Sequence, residues 1–210
     1  MDILLENASK HFNYHWIFKG LNHNFLGGNR YALTGPNGSG KSTLLRCLST
    51  FFMLSEGSLN FVQDQKTLDK DKIFEISQYS APYLKLPENI SVKEFIDFHS
   101  SFKPYSGFNS TQEILDEIRL DKHRHKHIDE LSSGMKQRLI LSLAFCFDNQ
   151  VLFFDEPVSH LDDKNYEWFK SHFENIGSEI LVFVASNEPK EIELCSHKLD
   201  MKTQQEIITL

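Results

Sequence analysis

Gly35-Pro36-Asn37-Gly38-Ser39-Gly40-Lys41-Ser42-Thr43 fits the pattern G-x-x-x-x-G-K-[ST] at every position. The residue types state the chemistry. Gly35, Gly38 and Gly40 let the backbone curl with its N–H groups inward, where those donors and the positive end of a following helix hold phosphate oxygens. Lys41 brings a point charge to β- and γ-phosphates, and the Ser42 hydroxyl is a ligand for Mg²⁺. The whole loop, with Asn37, Ser39 and Thr43, is assigned to nucleotide binding. A second feature, Val151-Leu152-Phe153-Phe154-Asp155-Glu156, sets two carboxylates behind four apolar residues. At the end of a buried strand Asp155 can hold Mg²⁺ through water, while Glu156 can take a proton from an attacking water. Alone this pattern is weak. It gains force with the phosphate loop on a neighbouring strand of a parallel sheet, whose ligands bind at the C-terminal edge.

The elements that position these residues alternate strand and helix. Residues 29–34 read as a short strand, followed by the loop and a helix over 41–51, where Leu44, Leu45, Leu48 and Phe52 suit a buried face. The apolar runs 151–154 and 180–185, the latter ending in Ser186-Asn187, suit strands buried on both faces of a parallel sheet. The class is therefore α/β. From 92 to 147 the apolar positions follow helical spacing, as in Val92, Phe95 and Ile96 or Ile114, Leu115 and Ile118. This stretch is expected to be a helical insert, punctuated by Pro82, Pro87 and Pro104 and closed by a helix carrying Leu139, Leu143, Ala144 and Phe147. The first 28 residues look like strands beside the main sheet, with a pairing that sequence leaves open.

Composition narrows the function classes. A chain of 210 residues with 40% hydrophobic and 24% charged residues suits one globular domain, and a net charge of −7 disfavours neutralising the phosphates of DNA or RNA. Cys47, Cys146 and Cys195 are too few and too scattered for a disulfide framework or a zinc site, and read as small apolar filler. His123, His125 and His127 could share a strand face and hold a metal; the other reading is a solvated, charged connection. The longest apolar stretch, 180–185, is far short of the ~20 residues of a spanning helix, and the first residues lack the features of a secretory signal. The expected address is the cytosol.

Leu131-Ser132-Ser133-Gly134-Met135-Lys136-Gln137-Arg138 lies just upstream of the Asp-Glu strand. Together with the phosphate loop and that strand, it makes the chain resemble the nucleotide-binding subunit of ATP-binding cassette (ABC) transporters over nearly its whole length. The resemblance implies a P-loop NTPase (RecA-like) core with a mostly parallel sheet, an N-terminal β-subdomain and an inserted α-helical subdomain. The expected single cassette has a nucleotide-binding core over 1–82 and 149–210 and a helical subdomain over 83–148. It implies ATP and Mg²⁺ as ligands, hydrolysis at Glu156, and metal held by Ser42 and Asp155. Ser132 and Gly134 would contact the γ-phosphate held by a second cassette, with two copies closing head to tail, so a homodimer is expected. Phe12 corresponds to the aromatic that stacks on adenine, with Tyr14 and Trp16 as alternatives. Asp162, in Ser159-His160-Leu161-Asp162, would couple the two sites across the dimer. A separate membrane permease is implied, with this chain peripheral on the cytoplasmic face and no nucleic acid as partner; short single cassettes of this kind look like those of bacterial exporters.

Three departures stand out. Ser133 and Met135 replace the usual Gly and Gln of the signature segment. Pro82 falls where the family has a Gln that senses Mg²⁺ and water, leaving Gln78 as a displaced candidate. Asn187 stands where a His is usual; it can donate toward a phosphate but lacks reach and charge, so turnover is expected to be slow. Two other readings stay open: a nucleotide-gated scaffold with little hydrolysis, and a soluble cassette ATPase acting on DNA or ribosomes.

Overall fold

Two eleven-residue strands, β1 (Asp2–Phe12) and β2 (His15–Phe25), form an antiparallel hairpin in this computed structural model, which describes residues 1–159, 161–203 and 207–209. Asn13 turns the chain at φ 51, a left-handed conformation that Asn tolerates better than most residues. β3 (Arg30–Thr34) leads through the glycine-rich loop into α1 (Lys41–Leu48). Next come β4 (Glu56–Gln63), β5 (Lys66–Thr67), α2 (Ile73–Ile76) and β6 (Ser77–Ser80). The helical stretch contributes α3 (Val92–Ser100), α4 (Thr111–Glu117) and α5 (Ser133–Phe145). The chain then returns through β7 (Val151–Asp155), α6 (Asp163–Glu174), β8 (Leu181–Ala185), α7 (Pro189–Ile192), β9 (His197–Asp200) and β10 (Ile207–Thr209).

The early strands, whose pairing sequence leaves open, build their own sheet in the order β2-β1-β4-β5, with β1–β2, β1–β4 and β4–β5 all antiparallel. The main sheet runs β10-β9-β3-β8-β7-β6, in which β9, β3, β8 and β7 are parallel. One expectation is corrected here: the Asp-Glu strand β7 is not the neighbour of β3, because β8 lies between them. Registers Leu33↔Ala185 and Asp155↔Ala185 still bring the three strand ends to one edge. The continuous apolar runs are explained by burial of every residue of β7 and β8.

The first helix stops short of its expected end at 51. Thr50 takes φ 64, and the Phe52 N–H returns to the Arg46 carbonyl at 3.0 Å, a turn that terminates a helix. Phe52 is accordingly not on the helix face; its ring meets Phe12 edge-on at 5.7 Å. Likewise α5 ends at Phe145, and Phe147 is buried just beyond it. The side chain of buried Asn149 donates to the carbonyls of Leu143 and Phe147 at 3.1 and 2.9 Å, holding that helix end.

Contacts divide the chain into two units. The first comprises Met1–Tyr79, Gln150–Glu156 and Gly177–Leu210; the second comprises Ser80–Asn149 and Pro157–Ile176. Residues 157–176, which sequence reading kept with the core, group with the helical unit because α6 packs on α5: Phe145 lies 5.8 Å from both Trp168 and Phe169. In the first unit Phe183 stacks on Phe153 at 5.4 Å and meets Phe25 of the hairpin edge-on at 4.8 Å. All three cysteines are free and buried, and burial pushes the Cys146 and Cys195 thiols up to about 12. The histidine-rich segment is no strand. Asp121–His123 is a 3-10 turn, and among the described residues no group of three metal-ligating side chains exists.

Candidate active site

The loop after β3 is held open by glycine. Gly35, Gly38 and Gly40 take φ 133, 81 and 99, and a Cβ on Gly40 would meet Ile17 Cγ2 at 2.6 Å. Gly40 is also the N-cap of α1, so the first N–H groups of that helix have no side-chain cap. Ser39 N–H donates to the Pro36 carbonyl at 3.0 Å, whereas buried Ser39 Oγ has no partner among the described residues. Orphan donors around a helix N-terminus fit a polyphosphate. Lys41, 6% exposed, lies under the loop with Nζ donating to the Gly35 and Pro36 carbonyls at 2.7 and 3.3 Å. Burial pulls its pKa below the usual lysine value, and the carboxylates of Glu156 and Asp155 push back. Thr43, in the first turn, is half-buried.

Metal-ligating chemistry gathers beside this loop. Ser42 Oγ donates to Asp155 Oδ1 at 2.8 Å, and the hydroxyl of Tyr79 donates to Asp155 Oδ2 at 2.8 Å. This pairing of hard oxygens suits Mg²⁺. Glu156 follows directly, exposed, with φ 49 and its N–H donating to the Ala185 carbonyl at 2.9 Å. A left-handed glutamate costs roughly 1 kcal/mol, a strain of the kind that collects at functional sites. From the end of β8, exposed Asn187 donates through Nδ2 to Asn37 Oδ1 of the loop at 2.9 Å. The structure thus brings residues 35–43, Asp155, Glu156 and Asn187 together. Phe12 stays 44% exposed with the Lys10 ammonium 4.9 Å from its ring centre, Trp16 is 39% exposed, and Tyr14 is fully exposed.

Gln78 Nε2 donates to the Tyr79 carbonyl at 3.1 Å, within its own strand. The residue that sequence reading missed is Tyr79. Its signal is faint, a large ring among the small polar residues of Ser77-Gln78-Tyr79-Ser80.

In the second unit Ser132 is the N-cap of α5 and accepts from the Met135 N–H at 3.4 Å. Ser132 and Ser133 are exposed, and Gly134 is so open that an added Cβ would find only Asn165 Nδ2, at 3.4 Å. Gln137, 5% exposed, donates to the Pro157 carbonyl at 2.9 Å. Asp162 is exposed and caps α6 by accepting from the Asn165 N–H at 2.8 Å; His160 of the same segment lies outside the described residues.

A glycine-rich loop on a parallel sheet, a buried lysine beneath it and a hydroxyl–carboxylate pair beside it define a P-loop protein that binds nucleoside triphosphates. The family model described as ABC transporter matches residues 18–159, and the chain belongs to that family as an ATP-binding cassette. A probable sulfate/thiosulfate import ATP-binding protein of Chlorella vulgaris is 30% identical over 92% of this chain and 84% of its own length. A spermidine/putrescine import ATP-binding protein of Thermotoga maritima is 26% identical over 99% of this chain but only 57% of its own length. The chain therefore spans little more than half of some curated relatives. Among solved structures, the cassette MJ0796 in a dimeric post-hydrolysis state with ADP and phosphate matches with TM-score 0.81 at 21% identity, over 99% of this chain and 98% of that one. The ATP-binding subunit of an ABC transporter matches at TM-score 0.85 and 17% identity, covering 100% and 90%. The fold is that of the P-loop NTPase cassette, α/β with an added antiparallel sheet. Both named sequence relatives are import proteins, so they lend no support to the exporter likeness expected from a short single cassette.

Proposed function

We propose that the chain is the ATP-binding and ATP-hydrolysing subunit of an ABC transporter, closing as a dimer on Mg-ATP to drive a separate membrane-spanning subunit. The observation that carries this reading is the 2.8 Å contact of Ser42 with Asp155 beside a loop whose Lys41 is buried and whose Ser39 hydroxyl lacks a partner among the described residues. Loop N–H groups and the Lys41 ammonium bind the β- and γ-phosphates. Mg²⁺, held by Ser42 and through water by Asp155, would neutralise charge on the phosphate oxygens. Glu156 accepts a proton from the water that attacks the γ-phosphorus as the bond to the β-phosphate oxygen breaks. Asn187, one contact from Asn37, would donate toward the γ-phosphate through its second N–H. Ser132 and the N–H groups of Ser133 and Gly134 form an anion site for the phosphate of a second copy, and Asp162 couples the two sites. Phe12 is the proposed adenine platform.

A permease on the cytoplasmic face of a membrane is the proposed partner. Among the described residues no helix is long and apolar enough to cross a membrane, and relatives bear the names of transporter subunits. A second reading, a nucleotide-gated scaffold with little hydrolysis, draws on Pro82 and on the engagement of Asn187 with Asn37. Sedimentation of the purified chain with Mg-ATP, alongside phosphate release, tests both. A dimer formed only with Mg-ATP and measurable release supports the transporter ATPase. A nucleotide-dependent dimer without release favours the scaffold, and absence of any dimer overturns both.

A further inference from the structure

Tyr79 belongs to none of the motifs above, yet its hydroxyl donates a hydrogen bond to the Asp155 carboxylate. Asp155 is 1% exposed and accepts on both oxygens, from Ser42 Oγ on Oδ1 and from Tyr79 Oη on Oδ2, each at 2.8 Å. Rotation of a buried carboxylate in that setting leaves a donor and an acceptor unsatisfied, which is strongly disfavoured. The phenol is itself fixed. Tyr79 is 7% exposed on β6, the strand beside β7, and the Phe51 ring meets it edge-on at 5.3 Å.

We propose that Tyr79 is a positioning residue for the metal site: through its hydroxyl it fixes the Asp155 carboxylate so that Oδ1 faces the Ser42 hydroxyl. The inference rests on the Mg-nucleotide reading and goes beyond it in giving a role to a phenol outside the phosphate loop. Tyr79→Phe deletes only the hydroxyl and retains the ring that packs on Phe51.

The test uses the full chain and reads binding, not turnover. Mn²⁺ is titrated into protein with ADP and followed by electron paramagnetic resonance, and ADP affinity is measured separately in excess EDTA. Tyr79→Phe is expected to weaken Mn²⁺ binding roughly five- to tenfold, the scale of one hydrogen bond to a charged group, with ADP affinity in EDTA unchanged. Phe51→Leu, which loosens the ring and keeps the hydroxyl, reports any general loss of packing through the melting temperature and is expected to retain most of the Mn²⁺ affinity. Unchanged Mn²⁺ binding in Tyr79→Phe overturns the proposal. So does an equal loss with Mn²⁺ and in EDTA, which would assign Tyr79 to the fold. A wild-type chain whose ADP affinity ignores the metal would instead overturn the Mg-nucleotide reading itself, and this inference with it.

Discussion

Two helix N-termini in this molecule are proposed to meet phosphate, and they are built in opposite ways. At the start of α1 the cap is Gly40, with no side chain to satisfy the first N–H groups, and the surroundings are enclosed: Lys41 is 6% and Asp155 1% exposed. At the start of α5 the cap is Ser132, whose own hydroxyl meets the Met135 N–H at 3.4 Å, and Ser132 and Ser133 lie in solvent. A serine cap already supplies part of what an anion would, worth about 1 kcal/mol. On this reading the first terminus needs its ligand, whereas the second is locally satisfied and would gain an anion only if another molecule brought one and excluded water. Under the proposed function, preorganisation would mark the site that binds alone and openness the one completed in trans.

The sharpest break of this comparison is chemical. Glu156→Gln is expected to keep Mg-ATP binding and lower phosphate release by roughly 10² to 10⁴, the usual contribution of a positioned base. Its dimer should then persist in sedimentation with Mg-ATP, and release within tenfold of wild type would remove Glu156 from the role of base. Next in size, Lys41→Ala should weaken ATP binding by about a hundredfold by calorimetry, because a buried charged donor to phosphate is lost. Near-normal affinity would mean that the loop amides suffice. Ser132→Arg should leave ATP affinity within about twofold and abolish the Mg-ATP dimer, since the first terminus is complete in one chain and the second is not. Equal loss of both properties would make the Ser132 turn a structural cap and erase the distinction drawn between the two termini.

Acid should separate the units as well. In the second unit, burial and then the nearby Lys103 ammonium lower the His99 pKa to about 4, with the ring 4.6 Å from Phe147. A histidine that is neutral when folded and titrates at its ordinary 6.5 when unfolded contributes full stability above pH 6.5. That stability is lost as pH falls from 6.5 toward 4, because the unfolded chain then binds more protons. The loss should reach roughly 3 kcal/mol. His99→Gln should flatten this slope in urea unfolding followed by the fluorescence of Trp168, which lies in the same unit. An unchanged slope would locate the acid sensitivity elsewhere.

What sequence made legible divides along the same line. The loop, β3, β7 and β8 were readable because fully buried parallel strands leave unbroken apolar runs and because G-x-x-x-x-G-K-S has a single chemical use. Strand order was not, since hydrophobicity reports burial and not neighbours: nothing in Val151-Leu152-Phe153-Phe154 says that β8 intervenes between it and β3. The grouping of α6 with α5 was hidden for a similar reason, as Phe145, Trp168 and Phe169 would suit the surface of any core. Tyr79 escaped because one hydroxyl on a short strand has no period and no motif, and only the fold reveals that Asp155 is its partner.

The smallest expected effect concerns Asn187, at the junction between binding and turnover. Its amide donates to Asn37 at 2.9 Å, so one of its two N–H donors is engaged with the loop. Phosphoryl transfer gains most from positioned charge at the γ-phosphate, and an asparagine brings neither charge nor the reach of an imidazole. Wild-type chain is therefore expected to bind Mg-ATP well and turn over slowly. Asn187→His should raise the rate several-fold, on the ~1 kcal/mol scale of one improved polar contact, with ATP affinity changed little. Asn187→Ala separates the two parts of the argument, because it frees Asn37 without adding charge. If the Ala variant accelerates as much as the His variant, the brake is the contact with Asn37. If neither accelerates, and the wild type is already fast, Glu156 and the loop amides carry catalysis without help from the end of β8.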